Sequence, residues 1–295
     1  MAAIVENFTE QAVLLGPRRT LVGIVTRPLV PPDPAVPAVV IFNTGIVHRV
    51  GHNRMYVTLA RMLATAGRVT VRFDQSGLGD SGPRNDRLPP LAAGLADIRE
   101  ALDSVQKTYQ VSRFVLVGLC SGADQCVLYG HTDPRVVGIV ILDPTIPPTR
   151  RYYVHYILRR LRHLQNWISV LTGRSGLLRL LSAHLLYRLR PGEKSKPATL
   201  QGLRFSPYLA ESYAATAAQG MKLLAAFTAL SPRHAYVRQI LDAFPEVSSG
   251  GTLQLQYFPD SDHLFSAVQE RARLYRVIIE WLAAHWAVDG RRPIE

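Results

Sequence analysis

A five-residue pattern near the middle of the chain constrains the fold more than any other feature. Residues Gly118 to Gly122 read Gly-Leu-Cys-Ser-Gly, and the β-type run Phe114 to Val117 precedes them. The glycines two before and two after Cys120 indicate a turn too tight for a Cβ atom at either position. The pattern therefore predicts a strand that turns sharply into a helix and holds Cys120 at an exposed, strained apex, the arrangement called a nucleophile elbow.

Strand patterns and helix patterns alternate along most of the chain. Strands are predicted at 11–15, 20–26, 38–42, 69–73, 113–118, 136–142, 223–228 and 252–258. Helices are predicted at 54–66, 91–109, 122–129 and 271–286. Apolar β-branched runs alternating with amphipathic helices are typical of an α/β fold, with a mainly parallel central sheet covered by helices on both faces.

The alternation stops between residue 146 and about residue 220. This segment is predicted to be helical and loop-like, and it begins with Pro147 and Pro148. From 146 to 196 it contains eleven Lys or Arg residues and one acid, Glu193, so it carries +10 of the formal net charge of +12. We interpret 146–220 as a basic helical lid inserted into a core made of 1–145 and 221–295.

The basic segment has three interpretations. Its leucines repeat along helical faces with arginines between them, as at Leu158, Leu161, Leu164, Leu177, Leu181, Leu185 and Leu189. The apolar side of these helices suits an acyl pocket. The basic side suits an anionic membrane surface or an acidic acyl carrier protein. The third interpretation is that the basic side is only a solvated face. Nucleic acid is not expected as a partner, because the basic residues accompany leucines rather than an aromatic stacking platform.

Composition sets limits on the class of protein. The 295 residues are 47% hydrophobic and 19% charged, which is typical of a globular protein. No stretch approaches 18 apolar residues, so no transmembrane helix is expected. Residues 1–16 contain Glu6 and Glu10 and no long apolar run, which argues against a signal peptide. Cys120 and Cys126 are poorly placed for a disulfide, so a cytoplasmic location is predicted, with no metal and no cofactor.

Two side chains with complementary chemistry follow predicted strands. Cys120 lies at the elbow, and His263 comes shortly after the last predicted strand. Ligands of open α/β sheets bind at the carboxyl ends of the strands, where both residues are expected. A cysteine needs a base or a cationic neighbour to become a thiolate near neutral pH, so His263 is the candidate general base.

The loop at 43–50, after the strand at 38–42, supplies further candidates. A tetrahedral intermediate needs amide donors for its oxyanion, and we expect them from Ser121 and from Gly45 or Ile46, with Ile46 preferred. Gly45, His48 and Arg49 are candidates for substrate binding. His48 and Arg49 are equally compatible with a solvated loop.

Several of these motifs resemble one superfamily, the α/β hydrolases, in one order over almost the whole chain. Residues 74–81 are similar to its D-x-x-G-x-G-x-S turn. More narrowly, the segments 43–49 (NTGIVHR), 118–123 (GLCSGA) and 262–265 (DHLF) resemble bacterial hydrolases associated with exosortase A systems and their serine-aminopeptidase-like relatives. The resemblance implies an α/β-hydrolase fold with a lid and a catalytic triad acting on acyl groups.

The acid of the triad departs from the family pattern. Members usually carry it after the strand equivalent to 223–228, where this chain has Ala-Leu-Ser-Pro-Arg-His and no carboxylate. Asp143, after the strand at 136–142, occupies another location that the fold uses, and it is the preferred candidate for orienting His263. The alternatives are Asp242, Asp260, Asp262, or a Cys–His pair without a carboxylate.

The sequence thus predicts acyl-transfer chemistry on a small-molecule or carrier-bound ester or thioester. Cys120 attacks, His263 moves the proton, and water releases the acyl group; an alcohol or amine acceptor would make the protein an acyltransferase or cyclase. Ser121 as the nucleophile would place Leu119 where a small residue is required. The competing hypothesis is a non-catalytic binder, in which Cys120 is a small packed residue and His263 a surface histidine.

Overall fold

A computed structural model describes residues 7–149, 151–155, 207–229, 231, 234, 236–249 and 251–288. Most of the predicted lid, including its leucine and arginine faces, lies outside these ranges. The lid and the division into 1–145, 146–220 and 221–295 therefore stay predictions. No helix within the described ranges is both long enough and apolar enough to cross a membrane.

Eight strands form one sheet in the order β1-β2-β4-β3-β5-β6-β7-β8. The strands are β1 (Phe8–Leu15), β2 (Leu21–Pro28), β3 (Ala38–Ile41), β4 (Thr70–Phe73), β5 (Phe114–Leu119), β6 (Val136–Leu142), β7 (Lys222–Thr228) and β8 (Leu253–Phe258). β2 runs antiparallel to both of its neighbours, and all the other pairings are parallel. The predicted α/β fold with a mainly parallel sheet is confirmed.

The helices within the described residues cover both faces of the sheet. They are α1 (Met55–Thr65), α2 (Pro90–Tyr109), α3 (Ser121–Gly130), α4 (Pro207–Ala218), α5 (Gln239–Ala243), α6 (Glu246–Ser249) and α7 (Val268–His285). Buried residues of α2, α3 and α4 share one apolar cluster, and those of α1 and α7 share another. A sheet covered on both faces explains why every residue of β5 is buried.

Alternate residues of the central strands β3, β5, β6 and β7 contribute to the two clusters. Ala38 and Val40 of β3 belong to the cluster with α2 and α3, whereas Val39 and Ile41 belong to the cluster with α1 and α7. Successive side chains of a strand point to opposite faces, so an uninterrupted apolar run supplies both layers. An uninterrupted apolar run in the sequence therefore predicts a strand that is buried on both faces.

The structure differs from the sequence prediction at several boundaries. β1 begins at Phe8 rather than at 11, because its pairing with β2 extends from Leu15–Leu21 to Phe8–Pro28. The last helix begins at Val268 rather than at 271. The short helices α5 and α6, and the 3-10 helix His52–Arg54, have too few residues for a periodic apolar pattern and were not predicted.

Candidate active site

Cys120 lies between β5 and α3 in a strained backbone conformation. β5 ends at Leu119 and α3 begins at Ser121. Cys120 has φ 59° and ψ −120°, outside the regions that non-glycine residues normally occupy. Such strain persists only where the surrounding structure enforces it, and it is concentrated at functional sites. The predicted sharp turn from strand to helix is therefore present.

The two flanking glycines are required by close backbone contacts. A Cβ atom on Gly118 would lie 2.3 Å from the carbonyl carbon and oxygen of Gly122. A Cβ atom on Gly122 would lie 2.7 Å from the carbonyl oxygen of Asn43. Both distances are far inside van der Waals contact with backbone atoms that have little freedom to move. The Gly-x-Cys-x-Gly spacing thus has the steric cause inferred from the sequence.

Asp143 lies beside Cys120 at the same edge of the sheet. Leu119 of β5 and Leu142 of β6 are register partners, so Cys120 and Asp143 are the next residues on two adjacent parallel strands. The Cys120 N–H donates to the Leu142 carbonyl at 2.9 Å. Asp143 also has a positive φ, 43°. The two strands therefore leave the sheet side by side, and the backbone bends with a positive φ at Cys120 and at Asp143.

The Asp143 carboxylate is fully buried and surrounded by donors. Oδ1 accepts the Thr228 N–H at 2.8 Å, and Oδ2 accepts the Thr228 hydroxyl at 2.5 Å. Nδ1 of His263 lies 2.9 Å from Oδ2, and Nε2 of His234 lies 3.4 Å from Oδ1. Burial alone would raise the pKa of Asp143, but the donors from His234, His263 and Thr228 lower it to about 2. Asp143 is therefore an anion that can orient a histidine.

His263 is positioned by Asp143 and contacts Cys120. Its side chain is 24% exposed, and its hydrogen bond with Asp143, followed by one with Cys120, raises its pKa to about 9 against the opposing effect of burial. With Nδ1 bonded to the carboxylate, Nε2 is the ring nitrogen left for Cys120. A protonated imidazole beside a thiol favours the thiolate, which is the nucleophilic form of cysteine.

Of the alternative acids, two have other partners. Asp242 accepts the Tyr236 hydroxyl at 2.7 Å and lies 3.4 Å from Arg151. Asp262 accepts the N–H groups of Leu264 and Ser266, so it holds the turn that carries the histidine. Neither carboxylate is the Nδ1 partner of the histidine, and the structure brings Asp143 to that position instead.

The candidate oxyanion loop is attached to the elbow through Ser121. Gly45 N–H donates to Ser121 Oγ at 2.9 Å. Val47 N–H donates to the Thr44 carbonyl at 3.0 Å, which closes a tight turn, and Gly45 accommodates the φ of 54° that this turn requires. The Gly45 amide is thus already used, which leaves Ile46 as the loop's candidate donor. The Ser121 hydroxyl lies against this loop rather than at the strained apex.

The Arg49 side chain forms ion pairs with two aspartates of the protein. Its guanidinium pairs with the buried carboxylate of Asp74 and lies 2.6 Å from Asp80. Desolvation opposes its charge, but the bonds to Asp80 and Asp74 raise the pKa of Arg49. Asn43 donates to Asp74 at 3.1 Å and therefore joins the same network. These contacts supply a structural role for Arg49. The Nδ1 atom of His48 accepts the nearby Val50 N–H at 3.2 Å, and its carbonyl accepts the Gly51 N–H at 2.9 Å.

Two histidines near the site were missed by sequence reasoning. His234 approaches Asp143 from the segment after β7, where the family pattern predicts a carboxylate rather than a histidine. His52 precedes α1, and burial together with the positive charge of His263 lowers its pKa. Asn53 and Arg54 follow it with φ of 50° and 58°, so a strained turn lies just before α1, and His52 is near enough to His263 to interact with its charge. No local pattern marks either residue.

The strand order, the elbow between β5 and α3, and the Cys–His–Asp arrangement together define an α/β hydrolase. The profile of the family described as serine aminopeptidase, S33, matches residues 35–197, more than half of the chain. The chain belongs to this family. A cysteine at the elbow departs from the serine in the family's description. No curated protein matches this chain.

Solved structures of the same fold match nearly the whole chain. A hypothetical protein from Pseudomonas aeruginosa is 17% identical, with a TM-score of 0.59 and coverage of 95% of this chain and 94% of that one. An esterase from Pyrococcus furiosus is 11% identical, with a TM-score of 0.57 and coverage of 95% and 91%. An α/β serine hydrolase homologue from Coxiella burnetii is 14% identical, with a TM-score of 0.57 and coverage of 95% and 99%. At these identities the likeness concerns the fold.

Proposed function

We propose that this hydrolase cleaves an ester or thioester through an acyl-enzyme on Cys120. The observation that carries the proposal is the contact of His263 with both Asp143 and Cys120 at the end of β5. A nucleophile, a proton carrier and an orienting carboxylate within one chain of hydrogen bonds are the parts that acyl transfer needs. The strained conformation of Cys120 is a second observation that favours catalysis over packing.

The reaction has two halves. The Cys120 thiolate adds to the substrate carbonyl, and the imidazolium of His263 gives its proton to the departing alkoxide or thiolate, which leaves a thioester on the enzyme. His263 then takes a proton from water as the water adds to that thioester. The tetrahedral intermediate expels the Cys120 thiolate and releases the carboxylic acid. The amides of Ser121 and Ile46 are the proposed donors to the oxyanion in both halves.

Cysteine fits this site because His263 is cationic at neutral pH. A serine needs a neutral imidazole to remove its proton, whereas a thiol transfers its proton to the imidazole before the substrate arrives. A His263 pKa of about 9 therefore suits a thiolate–imidazolium pair. Cys120 and Cys126 are thiols, and the proposed chemistry needs Cys120 reduced, which suits the cytoplasm.

The proposed substrate is a small-molecule or carrier-bound acyl group. In this proposal the predicted lid at 146–220 covers the acyl chain, and its basic residues attract an acidic acyl carrier or an anionic membrane surface. Transfer to an alcohol or amine would use the same acyl-enzyme. The non-catalytic alternative depended on the lack of a carboxylate after β7, and the contact between Asp143 and His263 removes that argument.

The test combines turnover with a covalent adduct. A series of p-nitrophenyl esters and acyl thioesters of rising chain length is incubated with the wild type and with Cys120→Ala, and products and intact masses are followed. We expect turnover and a mass increase of one acyl group in the wild type, and neither in Cys120→Ala. Full turnover in Cys120→Ala would contradict the assignment of the nucleophile. Addition of alcohols and amines distinguishes hydrolysis from transfer, because acceptors of a transferase divert the product.

A further inference from the structure

The carboxylate of Asp143 faces two histidines, one on each oxygen. Nδ1 of His263 lies 2.9 Å from Oδ2, and Nε2 of His234 lies 3.4 Å from Oδ1. His234 is on the segment that follows β7. Thr228, the last residue of β7, supplies two further donors to the same carboxylate. The orienting acid is therefore held by groups from the end of β7 on one side and by the catalytic histidine on the other.

Among the described residues, Asp143 is the nearest polar partner of the buried His234 ring. The His234 side chain is 3% exposed, and its ring packs edge-on against Phe227 with centroids 4.7 Å apart. Neither ring nitrogen has a fully formed hydrogen bond within the part of the chain that is described. Nε2 lies 3.4 Å from Oδ1 of Asp143. A bare nitrogen lone pair facing an anion would be repelled, so Nε2 is the atom expected to carry the proton.

We propose that His234 is a positioning residue that donates its Nε2–H toward Oδ1 of Asp143 and thereby moderates the hold of this carboxylate on the His263 imidazolium. A donor on one oxygen stabilises the negative charge of the whole carboxylate. The same carboxylate then attracts the proton on His263 less strongly. The importance of His234 for turnover rests on the proposed function. The effect of His234 on the protonation of His263 does not.

The direction of the effect does not depend on the charge of His234. A neutral donor withdraws charge from the carboxylate, and a cationic ring would also repel a proton on His263. Loss of His234 should therefore increase the proton affinity of His263. The other ionisable groups that interact with His263 are Cys120, His52 and Asp262, and they must stay constant in any test.

The experiment measures protonation without substrate. Histidine-labelled protein is titrated by NMR in a Cys120→Ser background, which removes the titration of the thiol, and a His263→Gln sample assigns the resonance. His234→Phe keeps a ring against Phe227 but lacks the N–H, whereas His234→Gln keeps an N–H near the position of Nε2. His131→Gln is the matched control, because His131 contacts Ser212 at 3.0 Å on α4, outside the site.

We expect His234→Phe to increase the proton affinity of His263 by about threefold, which is half a pKa unit. His234→Gln and His131→Gln should leave this affinity within about 1.5-fold of the parent. An unchanged titration in a folded His234→Phe protein would overturn the proposal. An equal shift in His234→Gln would overturn it as well, since the ring and not the N–H would then be responsible. Absence of esterase activity would contradict the proposed function and leave these titrations valid.

A measurement on the unmutated ring keeps the proposal testable if His234→Phe does not fold. Long-range 1H–15N correlations distinguish a protonated ring nitrogen from a bare one. We expect the His234 ring to show a proton on Nε2 at neutral pH. A bare Nε2 with the proton on Nδ1 would overturn the proposal, because no donor would then face Asp143.

Discussion

Thr228 donates both its N–H and its hydroxyl to the carboxylate of Asp143, one to each oxygen, at 2.8 Å and 2.5 Å. Asp143, the residue that follows β6, is thus fixed by the last residue of β7, the neighbouring strand. A buried anion needs several donors to offset its loss of water, and Thr228 supplies two from one residue. The position of the Asp143 carboxylate therefore depends on Thr228 as well as on β6.

Thr228→Val should therefore destabilise the protein more than its small change of shape suggests. The variant removes one donor from a buried charge, and we expect the free energy of unfolding to fall by about 1.5–3 kcal/mol at pH 7. Thr228→Ser, which keeps the hydroxyl, is the control and should lose much less. Urea unfolding followed by circular dichroism measures both.

The same loss should depend on pH in a defined direction. The pKa of Asp143 is about 2 when folded and is near 3.9 in an unfolded chain, so its charge stabilises the fold fully above about pH 4. This stability is lost as the pH falls from about 4 toward 2. The difference between the wild type and Thr228→Val should therefore shrink in acid. A difference that stays constant down to pH 2 would show that the hydroxyl does not act on the carboxylate.

The alkaline limit of activity should be set by His263. Its pKa of about 9 means that the imidazolium persists through neutral pH and loses its proton only near pH 9. We expect kcat/KM for an alkyl ester to fall above that pH, because the departing alkoxide then has no acid to protonate it. An alkaline limb near pH 7 would contradict the ion pair.

Asp143→Asn should lower the pH at which activity declines on the alkaline side. The hydrogen bond to Asp143 is the largest effect raising the pKa of His263, so its loss should shift the limb by about 1–3 pH units. We also expect kcat/KM at pH 7 to fall about 100-fold. Asp242→Asn, at the acid bound by Tyr236, serves as the control and should retain the wild-type profile. An equal effect of the two variants would reject Asp143 as the orienting acid.

Gly118→Ala should damage both stability and chemistry. Its Cβ would press into the backbone of Gly122 at 2.3 Å, so the elbow must open and displace Cys120. We expect a loss of about 1–3 kcal/mol in unfolding free energy, together with a loss of Cys120 acylation. Gly82→Ala is the matched control, because its Cβ would meet only Thr20 at 3.6 Å, and it should stay within about 0.5 kcal/mol of wild type.

The elbow could be predicted because its causes are local. Gly118, Cys120 and Gly122 lie within five residues, and the steric conflicts that require the glycines involve that turn and one adjoining loop. The strands of the sheet were recognisable for a similar reason, since burial on both faces leaves an uninterrupted apolar run. Short helices such as Gln239–Ala243 gave no comparable signal.

The acid could be nominated from the sequence but not selected. Four aspartates were compatible with the pattern, and the choice depends on strand register, which pairs Leu119 with Leu142 across 23 residues of chain. The role proposed for His234 could not be predicted from the sequence. Its position beside Asp143 depends on how the end of β7 meets the end of β6, a tertiary relationship without a sequence signal.

The register between Leu119 and Leu142 places Cys120 and Asp143, the proposed nucleophile and acid, beside one contiguous β–α–β unit, β5–α3–β6, which ends before residue 146. Their alignment is thus inherited from a single ladder of backbone hydrogen bonds. Insertions, deletions or exchanges in the segment 146–220 would leave that ladder intact. Because Asp143 directly follows β6, the part of the chain proposed to carry the chemistry is separate from the part proposed to choose the substrate. Relatives can then diversify the second part while keeping the first.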